Sequence, residues 1–190
     1  MSEGEAKAVA IGASAGAVQA LLEILPALPA DYPLALLIAV HVPPDRDNVL
    51  VPLLQSRCLL RIKEAEDKEP IRTGTAYVAP SDYHLLVEAG RTLALSSDEA
   101  VNYSRPSIDV LFESAADAFG PDLIGVILTG ANEDGAVGLR AISFAGGRVI
   151  VEDPDHAHAS AMPQAALKTC PGAPTMRLEE IVEYLGGLAG

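Results

Sequence analysis

Three residues of this chain have side chains and settings suited to nucleophilic catalysis: Ser14, His41 and Asp134. Ser14 lies between Gly12 and Gly16, a G-x-S-x-G pattern, where a short apolar run gives way to an amphipathic one. Small neighbours allow a strained strand-to-helix turn to push the hydroxyl outward, and the free N–H groups that open the helix point at the same spot. A serine hydroxyl is a poor nucleophile until an imidazole takes its proton. A carboxylate then fixes the imidazole tautomer and stabilises the imidazolium. His41 is the candidate base and Asp134 the candidate orienting acid. Small-residue turns at Ala15-Gly16 and Gly130-Ala131 offer backbone N–H groups to an oxyanion, with Ala15 and Ala131 as the expected donors.

Each residue also has a plainer reading. The paired glycines suit any close strand–helix turn or a nucleotide-type loop, although the G-x-G-x-x-G fingerprint and the Walker lysine are both absent. His41 alone is a strand-end histidine bonded to a loop, and Asp134 alone is a first-turn acid on the helix after Gly135. Arg105, before Pro106, reads either as a loop arginine or as an anchor for an anionic substrate group. His84 falls in a β segment and reads as structural. His156 and His158 lie among Asp153 and Asp155, but an H-x-H pair in an acidic loop is a weak metal signal, and no metal or cofactor is expected. A rival triad in α/β-hydrolase order would join Ser14 and Asp134 to His156 or His158; against it, hydrolase elbows follow several earlier strands, and this one follows the first.

The elements that must position these residues are legible from hydrophobic pattern. An apolar run from Ala8 predicts a strand ending at Gly12, followed by a helix with Val18, Leu21, Leu22 and Leu25 on its apolar side. Leu34 to Val40 is uninterrupted and aliphatic, the pattern of a strand covered on both faces, and it stops at His41. This βαβ unit makes the two strands parallel, so Ser14 and His41 emerge at one edge of the sheet, where ligand crevices form. A second unit runs from Leu123 to Leu128, through the loop 129–135 that carries Asp134, into a helix to Phe144 and a strand from Arg148 to Val151. Between the units, a short helix over 48–57 is expected to bury Val49, Leu50, Leu53 and Leu54. Segments 76–79, 84–87 and 91–95 suggest an antiparallel hairpin or meander, and Ser107 suggests the N-cap of a helix to Phe119. Helices near Met162–Lys168 and Leu178–Leu188 complete the chain.

Composition bounds the function classes. The 190 residues suffice for one domain, 1–190, with a sizeable core. The hydrophobic fraction is 49% and Trp is absent, so that core is aliphatic. A net charge of −13 argues against nucleic acid or an anionic membrane surface as partner, since both need a basic face. Cys58 and Cys170 form neither a metal-type pair nor a disulfide framework. With no signal-like N-terminus and no apolar run near the ~20 residues of a membrane span, a cytoplasmic location without membrane insertion is expected.

Taken together and in order, Ile11-Gly12-Ala13-Ser14, His41-Val42-Pro43-Pro44, Arg105-Pro106-Ser107-Ile108-Asp109-Val110-Leu111-Phe112 and Leu128-Thr129-Gly130 through Asp134-Gly135-Ala136 resemble the catalytic domain of the CheB chemotaxis methylesterases. Lys63-Glu64-Ala65-Glu66-Asp67, Tyr77-Val78-Ala79-Pro80 and Met162-Pro163 extend the resemblance from about Val9 to Leu185. It implies a doubly wound, three-layer α/β/α fold with a mainly parallel sheet and an antiparallel hairpin. It also implies a triad in the chain order Ser14, His41, Asp134. The implied reaction is hydrolysis of γ-glutamyl methyl esters on the cytoplasmic helices of methylated chemoreceptors, releasing methanol, with deamidation of receptor glutamines beside it. Three departures stand out. The family's Thr-Gly-Gly after the serine is Ala15-Gly16-Ala17 here, and its Thr-Gly-Met-Gly is Thr129-Gly130-Ala131-Asn132. Only 13 residues precede Ser14, so control by a regulator in trans, or constitutive activity, is the expectation in place of a receiver domain. The altered loops also fit a binding module of this fold that has lost efficient chemistry, or an esterase for another methylated protein.

Overall fold

The computed structural model describes residues 7–41 and 49–190. Val42-Pro43-Pro44 and the predicted helix start at Asn48 lie outside the described residues.

The architecture is a seven-stranded parallel sheet between two layers of helices. Its strands are β1 (Ala8–Ala13), β2 (Ala35–Val40), β3 (Arg61–Glu64), β4 (Thr75–Val78), β7 (Leu123–Ile127), β8 (Arg148–Glu152) and β9 (Thr175–Met176). They are ordered β3-β4-β2-β1-β7-β8-β9, and every pairing in this sheet is parallel. A separate antiparallel ribbon joins β5 (His84–Val87) to β6 (Leu93–Ser96). The hairpin expectation therefore holds for two of its three segments. The first, Thr75–Val78, is buried throughout and docks in the parallel sheet beside β2, because only a strand covered on both faces can bury four consecutive residues.

Period-2 alternation sorts the strand side chains between the layers. Val9, Ile11, Leu36, Ile38, Val126 and Ile150 face one layer, built from α1 (Ala17–Ile24), α2 (Leu50–Gln55) and α6 (Leu178–Gly187). Ala8, Ala10, Leu37, Ala39 and Val151 face the other, built from α3 (Ile108–Phe119), α4 (Ala136–Phe144) and α5 (Ala161–Thr169), with the ribbon beside them. Each fully buried Leu or Ile contributes about 1.5–3 kcal/mol. The small residues on the α3 side of β1 permit close approach there. A Cβ on Gly12 would lie 2.4 Å from Cγ2 of the buried Ile108.

The α2 helix buries only part of its expected apolar side: Leu50 and Leu54 are buried, whereas Val49 is 71% exposed and Leu53 lies at the surface. At six residues it is too short to hold four apolar side chains against one layer. The polar stretch after it forms edge strand β3, in which only Ile62 is buried, and the two-residue β9 closes the opposite edge. Among the described residues no helix is long and apolar enough to cross a membrane.

The sheet reverses its winding at β1. The chain passes from β1 to β2 on one side, whereas β7 and β8 extend the sheet on the other. In open parallel sheets such a reversal leaves a crevice beyond the carboxyl ends of the strands.

Candidate active site

Ser14, His41 and the loop bearing Asp134 follow β1, β2 and β7, the three central strands around that reversal. Backbone pairing continues one step past the strands. The His41 N–H donates to the Ala13 carbonyl at 3.3 Å, and the Ser14 N–H donates to the Thr129 carbonyl at 2.9 Å. Ser14 is thus held between the other two loops by the ladder itself. The Thr129 hydroxyl adds a further tie, donating to the Ala15 carbonyl at 2.8 Å and accepting the Ala159 N–H at 2.8 Å.

The turn at Ser14 differs from the strained elbow expected of its glycine pattern. The left-handed residue is Gly16, at φ 87°, and Ser14 is not among the positive-φ residues. Gly16 also passes close to His158: a Cβ there would lie 2.8 Å from the His158 Cβ. Both constraints require glycine, so the glycine after the serine lets the helix begin while the serine keeps ordinary backbone geometry.

Asp134 is fully buried, and its carboxylate gathers five donors. Oδ2 accepts His41 Nε2–H at 2.8 Å and the Ile108 N–H at 2.6 Å. Oδ1 accepts Asn102 Nδ2 at 2.8 Å, the Ser107 hydroxyl at 2.9 Å and the Asp109 N–H at 3.2 Å. Burial alone would raise this carboxyl, but the bonds from His41, Asn102, Ile108 and Asp109 outweigh it and hold the acid below its ordinary value. Asp134 is therefore ionised. Rather than capping its own helix, it caps α3 from across the site. Ser107 occupies the N-cap position of α3 as its sequence suggests, yet its side chain makes no capping bond and turns to Asp134 instead. Two of the first-turn N–H groups that α3 leaves unpaired, those of Ile108 and Asp109, are satisfied by the catalytic candidate itself.

With an anionic oxygen on Nε2, His41 carries its proton there, and Nδ1 is left as the acceptor nitrogen. The side chain facing Nδ1 is that of Asn132, whose Nδ2 lies at 3.0 Å. Among the described residues no hydrogen bond joins the Ser14 hydroxyl to His41. In the Gly130-Ala131 turn, the Gly130 N–H is taken by the Ala159 carbonyl at 3.1 Å. Among the described residues no backbone bond takes the N–H of Ala15 or Ala131, and both residues are exposed at the crevice edge.

The other candidates lie apart from this cluster. Arg105 donates to Asp82 Oδ1 through Nη2 at 2.6 Å and to the Ser97 and Asp98 carbonyls at 2.9 and 3.1 Å, stapling the loop after β6 to the turn before β5. His84 is buried, accepting the Ser107 N–H on Nδ1 and donating Nε2–H to the Glu99 carbonyl, which gives it a supporting role under the α3 N-terminus. His156 pairs with Asp153 at 2.7 Å on the surface. Asp134 meets His41 and neither His156 nor His158, so the hydrolase-order alternative is not assembled. Among the described residues no cluster of His, Cys, Asp and Glu is arranged to hold a metal ion.

The sequence assigns no role to Asn102 or Thr129, and it marks Asn132 only as a departure from the family loop. Asn102 adopts φ 52° and splits its amide between Asp134 and Asp109, at 2.8 Å to each. Asparagine before an exposed tyrosine was a signal for a left-handed turn, but nothing local named its targets 7 and 32 residues away. A further buried acid, Glu152, accepts the Thr129 N–H at 2.8 Å beneath the same loop. Burial, with Glu23, Glu179 and Asp153 nearby, pushes its carboxyl up.

Comparison with known proteins adds a second line of observation. Residues 9–185 match a family model described as CheB methylesterase. A protein of Leptospira interrogans (serovar copenhageni) described as a putative protein-glutamate methylesterase/protein-glutamine glutaminase is 45% identical over 177 residues, covering 93% of this chain and 92% of that one. The protein-glutamate methylesterase/protein-glutamine glutaminase of Chromohalobacter salexigens is 39% identical over 92% of this chain, which spans 50% of that protein's length. The crystal structure of the Thermotoga maritima CheB methylesterase catalytic domain superposes with a TM-score of 0.91 at 34% identity, covering 97% of this chain and all of that one.

Proposed function

This chain belongs to the CheB methylesterase family, and from that premise we propose that it is a serine hydrolase of γ-glutamyl methyl esters on methylated chemoreceptors, acting through Ser14, His41 and Asp134. Ser14 Oγ attacks the ester carbonyl while His41 Nδ1 takes the hydroxyl proton. Nε2–H stays on Asp134, which stabilises the imidazolium without itself being protonated. The N–H groups of Ala15 and Ala131 receive the oxyanion. Collapse of the tetrahedral intermediate expels methanol, which carries away the proton on Nδ1, and leaves a glutamyl ester on Ser14. Water, deprotonated by the same nitrogen, releases the glutamate carboxylate and restores the serine. Glutamine side chains enter the same cycle with ammonia as the leaving group, in keeping with the second activity in the relatives' names.

The observation that carries this reading is the His41–Asp134 bond of 2.8 Å on a carboxylate held ionised by four further donors, on strand ends either side of the one that delivers Ser14. The test is methanol release from membranes bearing methylated chemoreceptors, comparing the wild type with Ser14→Ala. Loss of the nucleophile should lower the rate by at least about a thousandfold with the fold intact. Appreciable release by a folded Ser14→Ala variant would remove Ser14 from the mechanism.

A further inference from the structure

Position 132 holds a side chain where the resembling motif has glycine, and that side chain touches the catalytic base. Its orientation is fixed from both ends. Asn132 Oδ1 accepts the Asp134 N–H at 3.0 Å, so the amide cannot be turned over without facing donor to donor, and Nδ2 must point to His41. On the His41 side Nε2–H is committed to Asp134, so Nδ1 presents its lone pair to Asn132. Both assignments agree on one N–H···N hydrogen bond.

We propose that Asn132 is a latch on His41: in the resting site its amide occupies the Nδ1 lone pair, and Ser14 is activated only after its hydroxyl displaces that amide. This rests on the serine-hydrolase reading above. The latch moves no proton of its own. Before the step Nδ1 accepts from Asn132 Nδ2–H, and afterwards it accepts from, and then takes, the Ser14 hydroxyl proton, with Nε2–H on Asp134 throughout. Asn132 is thus a positioning residue with an opposing side. It holds the ring in the tautomer that catalysis needs and competes with the nucleophile for the nitrogen that does the work. Substrate filling the crevice beside the exposed Ala131 is the event placed to shift the balance, since the loop that carries Asn132 also carries the oxyanion donor.

Two measurements test it. In uniformly ¹⁵N-labelled wild-type protein, a scalar coupling through the hydrogen bond should link Asn132 Nδ2 to His41 Nδ1, and the long-range ¹H–¹⁵N pattern of His41 should be that of the Nε2–H tautomer. A His41 ring protonated on Nδ1, or the absence of that coupling with both side chains assigned, would overturn the latch. The second measurement is the rate at which a small fluorophosphonate labels Ser14. Net hydrogen-bond strengths predict about two- to tenfold faster labelling for Asn132→Ala. Asn132→Asp keeps the acceptor for the Asp134 N–H but sets an anion against Nδ1, holds the ring as imidazolium, and should label more slowly than wild type at neutral pH. Labelling of the wild type with an unchanged or lower rate in folded Asn132→Ala sinks the latch and leaves the hydrolase reading standing. Failure of the wild type and every Asn132 variant to label at Ser14 sinks both.

Discussion

At the scale of single residues, the site is an acid with many donors rather than an isolated triad. Asn102 tests this most directly, because its side chain and its backbone can be separated. Its φ of 52° suits glycine, so Asn102→Gly removes the amide without straining the turn, whereas Asn102→Ala does both. Each variant should lower kcat several-fold with little change in KM, since Asp134 keeps its other donors but loses part of its orientation. Both variants should melt below the wild type, because two buried carboxylates lose a donor, and the alanine variant should melt lowest. Steady-state kinetics beside thermal melts distinguish the two effects, and an unchanged kcat in both would reduce Asn102 to a loop residue. Ser14 and His41 are visible in the sequence because each follows directly on a strong strand pattern, and Asp134 because it lies in the short loop after another. Asn102 and Asn132 stayed hidden because a polar loop residue announces no partner: their targets are set by the approach of α3 and the β7 loop, which only tertiary packing defines.

At the scale of elements, helix α3 and strand β1 are fitted to each other through the absence of a side chain. Gly12 leaves room for Ile108, the first residue of α3, and that residue's N–H is one of the donors on Asp134. Gly12→Ala forces the two apart, at a cost of about 1–3 kcal/mol for overpacking. It should also disturb the Asp134 cap, so activity should fall further than stability explains. Combining it with Ile108→Ala relieves the clash, and the double variant should be more stable than the sum of the two singles predicts, as read from urea unfolding. Additive losses would mean that the contact is not shared. The elements themselves were largely readable, since buried parallel strands are short aliphatic runs. The exceptions have physical causes: β3 is a polar edge strand and β9 is two residues long, so neither carries a hydrophobic signature, and Thr75–Val78 resembles a hairpin strand until β2 covers it.

At the scale of the whole molecule, the buried acids give stability an internal opposition in pH. Asp134 binds its proton less tightly when folded than when unfolded. Its contribution is therefore complete above the unfolded carboxylate's value of about 4 and is lost as the pH falls through the lower folded value. Asp109 and Glu152 run the other way. Burial raises both, so their contribution is fullest in acid and declines as the pH climbs through the range between unfolded and folded values. The urea midpoint of Asp134→Asn should accordingly fall well below that of the wild type at pH 7, and the gap should narrow as the pH drops below about 4. A gap independent of pH would mean that the lost charge is not what the substitution removes.

The three strands that carry the site residues sit at the middle of the sheet, with β3 and β4 on one flank and β8 and β9 on the other. Hydrogen exchange in such a sheet is graded, with outer amides opening through local fluctuations and inner ones only through global unfolding. The amides of Ile11, Ile38 and Val126 should therefore share the slowest exchange class, while those of β3 and β9 exchange quickly. Under rising denaturant, the candidate site would outlast the rim and vanish in a single cooperative step.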